Sequence, residues 1–117
     1  MSQTKILVCQ GRAVGDDSAG RHDLDERYRA VGELLAAMSA PVRAAIIHRL
    51  TVKEHSVTEL VEELGLSQPL VSQHLRTLRA AGLVSTDRHG RTVVYRLVDE
   101  HVAHIFLDAY QHSREQS

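Results

Sequence analysis

Residues 59–75 have the sequence ELVEELGLSQPLVSQHL, and this stretch decides the fold. It begins inside a short helix, which we place at Val57 to Leu64. Ser56 is suited to cap this helix, because its hydroxyl can accept a backbone N–H of the first turn. Glu59, at the third helical position, can in turn accept the backbone N–H of Ser56, which completes a capping box and marks the start of the helix.

A tight turn follows at residues 65–67 and separates this helix from the next. Gly65 suits a left-handed C-cap, and Ser67 suits a second N-cap. The next helix extends from Gln68 to about Ala81 and ends at another capping glycine, Gly82. Two helices joined by a three-residue turn that contains glycine are typical of a helix-turn-helix. The expected buried side of the second helix consists of Leu70, Val71, Leu75 and Leu78.

The segment after Gly82 changes to β-rich sequence, in two runs separated by a turn that contains His89 and Gly90. We predict a two-stranded hairpin there. Arg88 and Arg91 lie at its tip, where guanidinium groups can meet backbone phosphates or enter a minor groove, so the hairpin is a candidate wing. The second helix offers further polar groups that can reach base edges and phosphates: Ser67, Gln68, Ser72, Gln73, His74 and Arg76.

Three more helices complete the predicted fold. Apolar residues recur every three to four positions from Leu24 to about Ala37, which predicts a helix with one apolar face. Pro41 suits the first turn of a second helix that ends near Leu50. A last helix extends from Glu100 to about Glu115. The predicted fold class is therefore mainly α (α+β): a winged helix-turn-helix of about five helices with a two-stranded β-hairpin.

The composition bounds the compartment and the partners. A single cysteine, Cys9, cannot form an internal disulfide, and no apolar stretch approaches the roughly 20 residues that span a bilayer. We expect a cytoplasmic protein with no membrane partner and no small-molecule substrate. The net charge is −1, but residues 64–98 hold five arginines against one aspartate. The basic part of the chain thus coincides with the predicted helix-turn-helix and wing, which favours double-stranded DNA as a partner.

The helix-turn-helix stretch, the following residues 79–84 (RAAGLV) and the hairpin together resemble the ArsR/SmtB family of metalloregulatory repressors. The resemblance covers roughly residues 24–115. It implies an elongated homodimer, built on the first and last helices, that binds an inverted-repeat operator. It also implies a zinc motif in the C-terminal helix.

Four residues in and beside the last helix have metal-ligand chemistry: Asp99, His101, His112 and Glu115. On an ideal helix His101 and His112 share a face but lie about 16 Å apart along the axis, so one ion cannot bind both. Two antiparallel copies of the helix would place Asp99 and His101 of one chain beside His112 and Glu115 of the other. Two imidazoles and two carboxylates in a closed tetrahedral set suit Zn²⁺. The same four residues match the zinc motif of the family.

The sequence predicts one winged helix-turn-helix domain at residues 24–117, which carries DNA binding, dimerisation and a C-terminal metal-sensing helix. Residues 1–23 mix glycine, aspartate and serine with little periodicity, so we predict a flexible N-terminal arm there. The last helix has an apolar face that a second copy of the chain is expected to cover, formed by Val102, Ile105, Phe106 and Ala109.

The predicted function is a metal-responsive transcriptional repressor that zinc releases from operator DNA. Nickel or cobalt is the alternative, because both metals accept octahedral sites that could recruit His104, or Cys9 and His22 of the arm. A zinc hydrolase is a weaker alternative: the metalloprotease helix needs a glutamate between its two histidines, and Glu100 precedes both His101 and His104. A third is a constitutive DNA-binding module whose last helix serves dimerisation only. We therefore predict no enzyme.

Metal and DNA binding are expected to oppose each other through His112. A ligating imidazole normally donates its other N–H to a second acceptor. We expect His112 to lie near the end of the second helix of the helix-turn-helix, where a backbone carbonyl around Ala81 or Gly82 would accept this bond.

Overall fold

The computed structural model describes the backbone of residues 18–115 and the side chains of residues 25–115. Its helices are α1 Ser18–Ala37, α2 Pro41–Val52, α3 Val57–Leu64, α4 Gln68–Ala80 and α5 Glu100–Glu115. Its strands are β1 His55–Ser56, β2 Val84–His89 and β3 Thr92–Leu97. By its contacts the chain divides into two units, Met1–Ala30 and Val31–Ser117, and α2 to α5 and all three strands belong to the second unit.

The helix boundaries follow the local sequence closely from α2 onward, and α1 differs. It begins at Ser18 and not at Leu24, where the apolar periodicity starts. The residues between these positions are polar or glycine apart from Ala19, so hydrophobic periodicity cannot detect this part of the helix. Residues 1–17 of the predicted arm, with Cys9, lie outside the described residues, and nothing is described of the His22 side chain.

The three strands form one antiparallel sheet in the order β1-β3-β2. Strands β2 and β3 are the predicted hairpin, with Val84 opposite Leu97 at one end and His89 opposite Thr92 at the other. The third strand, β1, was not predicted; it pairs His55 with Tyr95 on β3. Since β1 leads directly into α3, the sheet ties the wing to the first helix of the helix-turn-helix.

The core lies between α2, α3, α4 and α5 and one face of the sheet. Its fully buried side chains are Ile46, Ile47, Leu60, Val71, Leu75, Leu78 and Leu83. Val102 and Phe106 of α5 also belong to it, with 5% and 8% of their surface exposed. The expectation that these two residues await a second copy is therefore wrong, because their own chain buries them. Ile105, on another side of α5, remains 42% exposed.

No single helix among residues 18–115 is long and apolar enough to cross a membrane. Only Asp25–Ala37 and Pro41–Val52 taken together, across the bend that separates them, reach the length and composition of a span.

Candidate DNA-binding and metal-binding sites

The first helix of the helix-turn-helix is fixed at both ends by the predicted caps. The backbone N–H of Glu59 donates to Ser56 Oγ at 3.2 Å, and the backbone N–H of Ser56 donates to Glu59 Oε1 at 2.9 Å. That second bond is the main reason why the pKa of the Glu59 carboxyl lies below its usual range. Gly65 has a φ of 69°, the left-handed conformation expected of its C-cap, and its N–H donates to the carbonyl of Val61.

The predicted DNA-contacting side chains of the second helix, α4, differ in how exposed they are. Gln68, Gln73 and Arg76 are exposed, whereas Ser72 and His74 are half-buried. Ser67 is exposed, and its Oγ accepts the backbone N–H of Leu70 at 3.4 Å as the predicted N-cap. The opposite side of the helix carries the predicted buried residues, of which Val71, Leu75 and Leu78 are fully buried and Leu70 is half-buried.

The wing carries its two predicted arginines at the exposed end of the hairpin. Arg88 lies in β2, opposite Val93, and Arg91 directly follows the turn glycine, Gly90, which has a φ of 69°. Both arginine side chains are exposed. The arrangement suits contacts with an extended polyanion, because two guanidinium groups project from a hairpin that its sheet holds in place.

His74 has a partner that the sequence did not predict. Arg43 on α2 places Nη1 3.2 Å from His74 Nδ1, and its Nε donates to the carbonyl oxygen of Ala37 at 2.6 Å. Arg43 is thus in contact with the last residue of α1 and with α4, the recognition helix of the helix-turn-helix. No pattern around Arg43 indicates this role, since its two partners lie 6 and 31 residues away along the chain.

The four predicted metal ligands are exposed and occupy the two ends of α5. Asp99 caps the helix: its Oδ1 accepts the backbone N–H of Val102 at 3.1 Å. Glu115 Oε2, at the other end, accepts a hydrogen bond from Gln111 Nε2 at 3.3 Å. One chain brings Asp99 and His101 to one end and His112 and Glu115 to the other, so a single copy does not assemble the predicted set.

α5 packs chiefly on α2 and β3, whereas the expected hydrogen bond of His112 needs a carbonyl at the end of α4. The contact with α2 is aromatic. The ring of His48 on α2 lies 4.3 Å from the ring of Tyr110 and 5.4 Å from that of Phe106, measured between centroids. The proposed link from His112 to a carbonyl around Ala81 or Gly82 therefore has no support from the packing within one chain.

A second group of metal-type side chains, which the sequence did not predict, lies on the wing and on the residue before β1. Glu54, Asp87 and His89 are exposed, and one potential ligand atom of each lies within 4.8 Å of the others. His89 Nε2 is 3.7 Å from Asp87 Oδ2 and 4.0 Å from Glu54 Oε2. Asp87 and His89 alternate along β2 and so share a face of the sheet, which is the one signal the sequence offers. Exposed groups of this kind are common without an ion.

Comparisons with known proteins bear on the whole arrangement. The family model for bacterial regulatory proteins of the arsR family matches residues 40–86. The chain is 43% identical over 91 residues to the HTH-type transcriptional regulator NmtR of Mycobacterium tuberculosis, a match that covers 77% of this chain and 76% of that protein. The chain belongs to the ArsR/SmtB family. The family is one of regulators and not of enzymes, as the sequence predicted.

This ArsR/SmtB member is also 54% identical over 88 residues to the HTH-type transcriptional repressor SmtB of M. tuberculosis. That match covers 75% of the chain and 65% of the repressor, slightly less than two thirds of its length. Among solved structures, the fold matches the homodimeric winged helix-turn-helix DNA-binding domain of Mb0332 from Mycobacterium bovis, with a TM-score of 0.72 and 25% identity. The match covers 89% of this chain and 93% of that domain, which confirms the predicted fold class.

Proposed function

We propose that this protein is a cytoplasmic, metal-responsive transcriptional repressor. It binds operator DNA as a homodimer through α4 and the wing, and zinc held between two copies of α5 releases it. The observation that carries the DNA-binding part is the exposed polar surface of α4 beside a β-sheet that fixes two exposed wing arginines to the helix-turn-helix. The name of the related SmtB repressor supports the same function.

The homodimer is supported by apolar residues that the chain leaves exposed. On α1 these are Val31 and Leu35, each with at least half of its surface exposed, and on α5 they are Ile105, Leu107 and Tyr110. Exposed apolar side chains grouped on two helices are typical of a protein interface. In a symmetric dimer, a second copy of the same chain would bury the exposed side chains of both helices. The related Mb0332 domain is described as homodimeric.

The metal site is supported by the face of α5 on which its histidines lie. His101, Ile105 and His112 are spaced by four and seven residues, so all three point in nearly the same direction from the helix axis. Ile105, which is exposed, lies between the two imidazoles. A second, antiparallel copy of α5 packed on Ile105 would bring each His101 to a His112. The combined donors, two imidazole nitrogens and the carboxylates of Asp99 and Glu115, suit the tetrahedral preference of Zn²⁺.

Zinc in this position would join two helices into one fixed geometry and would thereby change how the two recognition helices meet DNA. If zinc lowers the affinity for DNA by some factor, DNA must lower the affinity for zinc by the same factor. A coupling free energy of about 1–3 kcal/mol, which is typical of such systems, corresponds to a factor of about 5 to 150.

The test measures binding of the full chain to a DNA duplex, with and without zinc, for the wild type and three variants. The duplex is the one that the wild type selects from a random-sequence pool. We expect zinc to release the wild type. His101→Asn should bind the duplex without being released by zinc. His104→Asn, which alters an exposed histidine one turn away, is the matched control and should behave as the wild type.

His89→Asn separates the proposed site from the group on the wing. If His89→Asn loses the zinc response and His101→Asn keeps it, the metal acts at Glu54, Asp87 and His89, and the proposed site is wrong. Spectra of the cobalt-substituted protein report the coordination number. Four-coordinate absorption supports zinc, whereas weak six-coordinate bands that His104→Asn abolishes would replace zinc by nickel or cobalt.

A further inference from the structure

Arg43 joins the end of α1 to the recognition helix by hydrogen bonds in two directions. Its Nε donates to the carbonyl oxygen of Ala37, and its Nη1 meets Nδ1 of His74 on α4 at 3.2 Å. Both Arg43 and His74 are half-buried. The rigid, planar guanidinium presents donors in fixed directions, so the bond to Ala37 also fixes the direction of the bond to His74.

The carbonyl that holds Arg43 is one that a cation stabilises well. Ala37 is the last residue of α1, so its carbonyl belongs to the helix end whose oxygens lack partners within the helix. That end also carries the negative pole of the helix dipole, which favours a positively charged side chain. The interaction with the C-terminal end of α1 therefore holds the Arg43 guanidinium in place independently of His74.

The bond between Arg43 and His74 determines where the imidazole carries its proton. A guanidinium has donors and no acceptor, so His74 Nδ1 must accept and cannot carry a hydrogen. A neutral imidazole then carries its single proton on Nε2. His74 thus presents an Nε2–H donor, whereas a histidine without such a partner distributes between two tautomers.

We propose that Arg43 is a positioning residue for DNA binding: it holds His74 as the Nε2–H tautomer, oriented to donate a hydrogen bond to a phosphate oxygen of duplex DNA. His74 is less exposed than Gln73 and Arg76 and lies on the side of α4 that faces α2. Contacts with phosphates position a recognition helix on the duplex, and a donor on its flank suits that role better than the reading of base edges. This inference rests on the proposed DNA-binding function of α4.

The first measurement needs no DNA. Nitrogen-15 NMR of the imidazoles in the free, full-length protein distinguishes the two tautomers. We expect the neutral imidazole of wild-type His74 to have a protonated Nε2 and a bare Nδ1. Arg43→Met should shift His74 toward a mixture of both tautomers. Arg49→Met, which removes the same charge from the same helix, should leave the His74 tautomer unchanged, because Arg49 contacts Glu63 and not His74.

The second measurement is a double-mutant cycle on the duplex that the wild type selects from a random-sequence pool. Arg43→Met should weaken binding about tenfold, which is the loss expected for one hydrogen bond to a charged group. In a His74→Ala background the same substitution should cause no further loss. Arg49→Met should bind as the wild type does, and thermal unfolding of every variant identifies any that does not fold.

Three results would overturn the inference. Losses that add in the double variant would mean that Arg43 contacts DNA by itself. An unchanged His74 tautomer in Arg43→Met, in a protein that still binds the duplex, would remove the positioning role and leave the proposed function intact. A wild type that selects no duplex from the pool would overturn the proposed function, and the role of Arg43 in DNA binding with it.

Discussion

The side chain of His55 is joined to that of Glu63: its Nε2 lies 3.1 Å from Oε1 of the carboxylate. Its other nitrogen, Nδ1, lies 2.8 Å from the backbone carbonyl oxygen of Lys53. His55 is the buried polar residue of the described chain, with 2% of its surface exposed, and both ring nitrogens have a partner. Because His55 belongs to β1 and Glu63 to α3, this pair holds the sheet of the wing against the first helix of the helix-turn-helix.

Removing Glu63 should therefore destabilise the fold. In Glu63→Ala the buried Nε2 of His55 loses its acceptor, and a buried polar group without its partner costs about 1–3 kcal/mol. Glu62→Ala, at the exposed neighbouring position, should change the free energy of unfolding by less than about 0.5 kcal/mol. Chemical denaturation of the two variants and the wild type measures the difference. Equal stability of the two variants would show that the His55–Glu63 contact contributes nothing.

The capping box gives the stability a defined pH dependence. The backbone N–H of Ser56 donates to the Glu59 carboxylate and lowers its pKa in the folded state. When the pKa of a carboxyl is lower in the folded than in the unfolded protein, the carboxyl stabilises the fold at every pH above its unfolded pKa. This stabilisation is lost as the pH falls through the folded pKa. The loss should begin below pH 4.5, the ordinary value for glutamate.

Glu59→Gln removes the titrating group and keeps an acceptor at the N-terminus of α3. Unfolding free energies measured between neutral pH and about pH 3 should therefore fall less steeply for Glu59→Gln than for the wild type in the acid range. The control is Glu62→Gln on the same helix, which should follow the wild type. If Glu59→Gln shows the same acid slope as the wild type, the cap does not titrate in this way.

The outward face of α5 predicts a specific dimer-breaking substitution. Ile105 is exposed although it is apolar, and it lies between His101 and His112 on the helix. A charge there opposes burial against a second copy, so Ile105→Glu should sediment as a monomer at micromolar concentration, where we expect the wild type to be a dimer. Val52→Glu is the control for this effect. Val52 is 78% exposed at the end of α2, and a charge there should leave the oligomeric state unchanged. A dimeric Ile105→Glu protein would place the interface elsewhere.

The wing arginines should contribute to DNA affinity through phosphate contacts. Arg88→Ala and Arg91→Ala should each make the slope of log affinity against log salt concentration shallower, by about the amount that one phosphate contact contributes. Neither substitution should change the sequence preference much. Gln68, Ser72 or Gln73 substitutions should instead change which duplex is preferred. Binding isotherms at several salt concentrations separate these effects. A salt slope that survives the loss of both arginines would show that the wing does not touch the backbone.

Local sequence predicts the helix-turn-helix well because its information lies within a few residues. The capping box and the left-handed Gly65 involve neighbours three or four positions apart, and both occur as predicted. Strand β1 escaped prediction because two residues have no detectable period and their partner, Tyr95, is distant in the chain. The Arg43–His74 contact spans 31 residues and is invisible for the same reason.

The last helix shows a different limit of sequence reasoning. Its apolar residues point to two sides, and periodicity identifies them without saying what covers each side. Val102 and Phe106 fill the core of their own chain, whereas Ile105 is left exposed. Only the packing of α5 against α2 and β3 determines which of its apolar residues are buried in the core and which remain exposed.

That packing also predicts how a metal on α5 would influence DNA binding. Tyr110 is two residues from His112, and its ring contacts His48 on α2, the helix that also carries Arg43. We therefore expect a change in α5 to reach α4 through α2. Tyr110→Ala should bind zinc but show a smaller loss of DNA affinity when zinc is added, whereas Tyr110→Phe, which keeps the ring, should respond as the wild type does.

Zinc titrations of the free and DNA-bound protein provide an independent check on this route. Because coupling is reciprocal, the factor by which DNA weakens zinc binding must shrink in Tyr110→Ala to the same extent as the factor by which zinc weakens DNA binding. If Tyr110→Ala retains both factors while remaining folded and dimeric, the contact between His48 and Tyr110 does not carry the coupling, and the influence of the metal passes between the two chains through another contact.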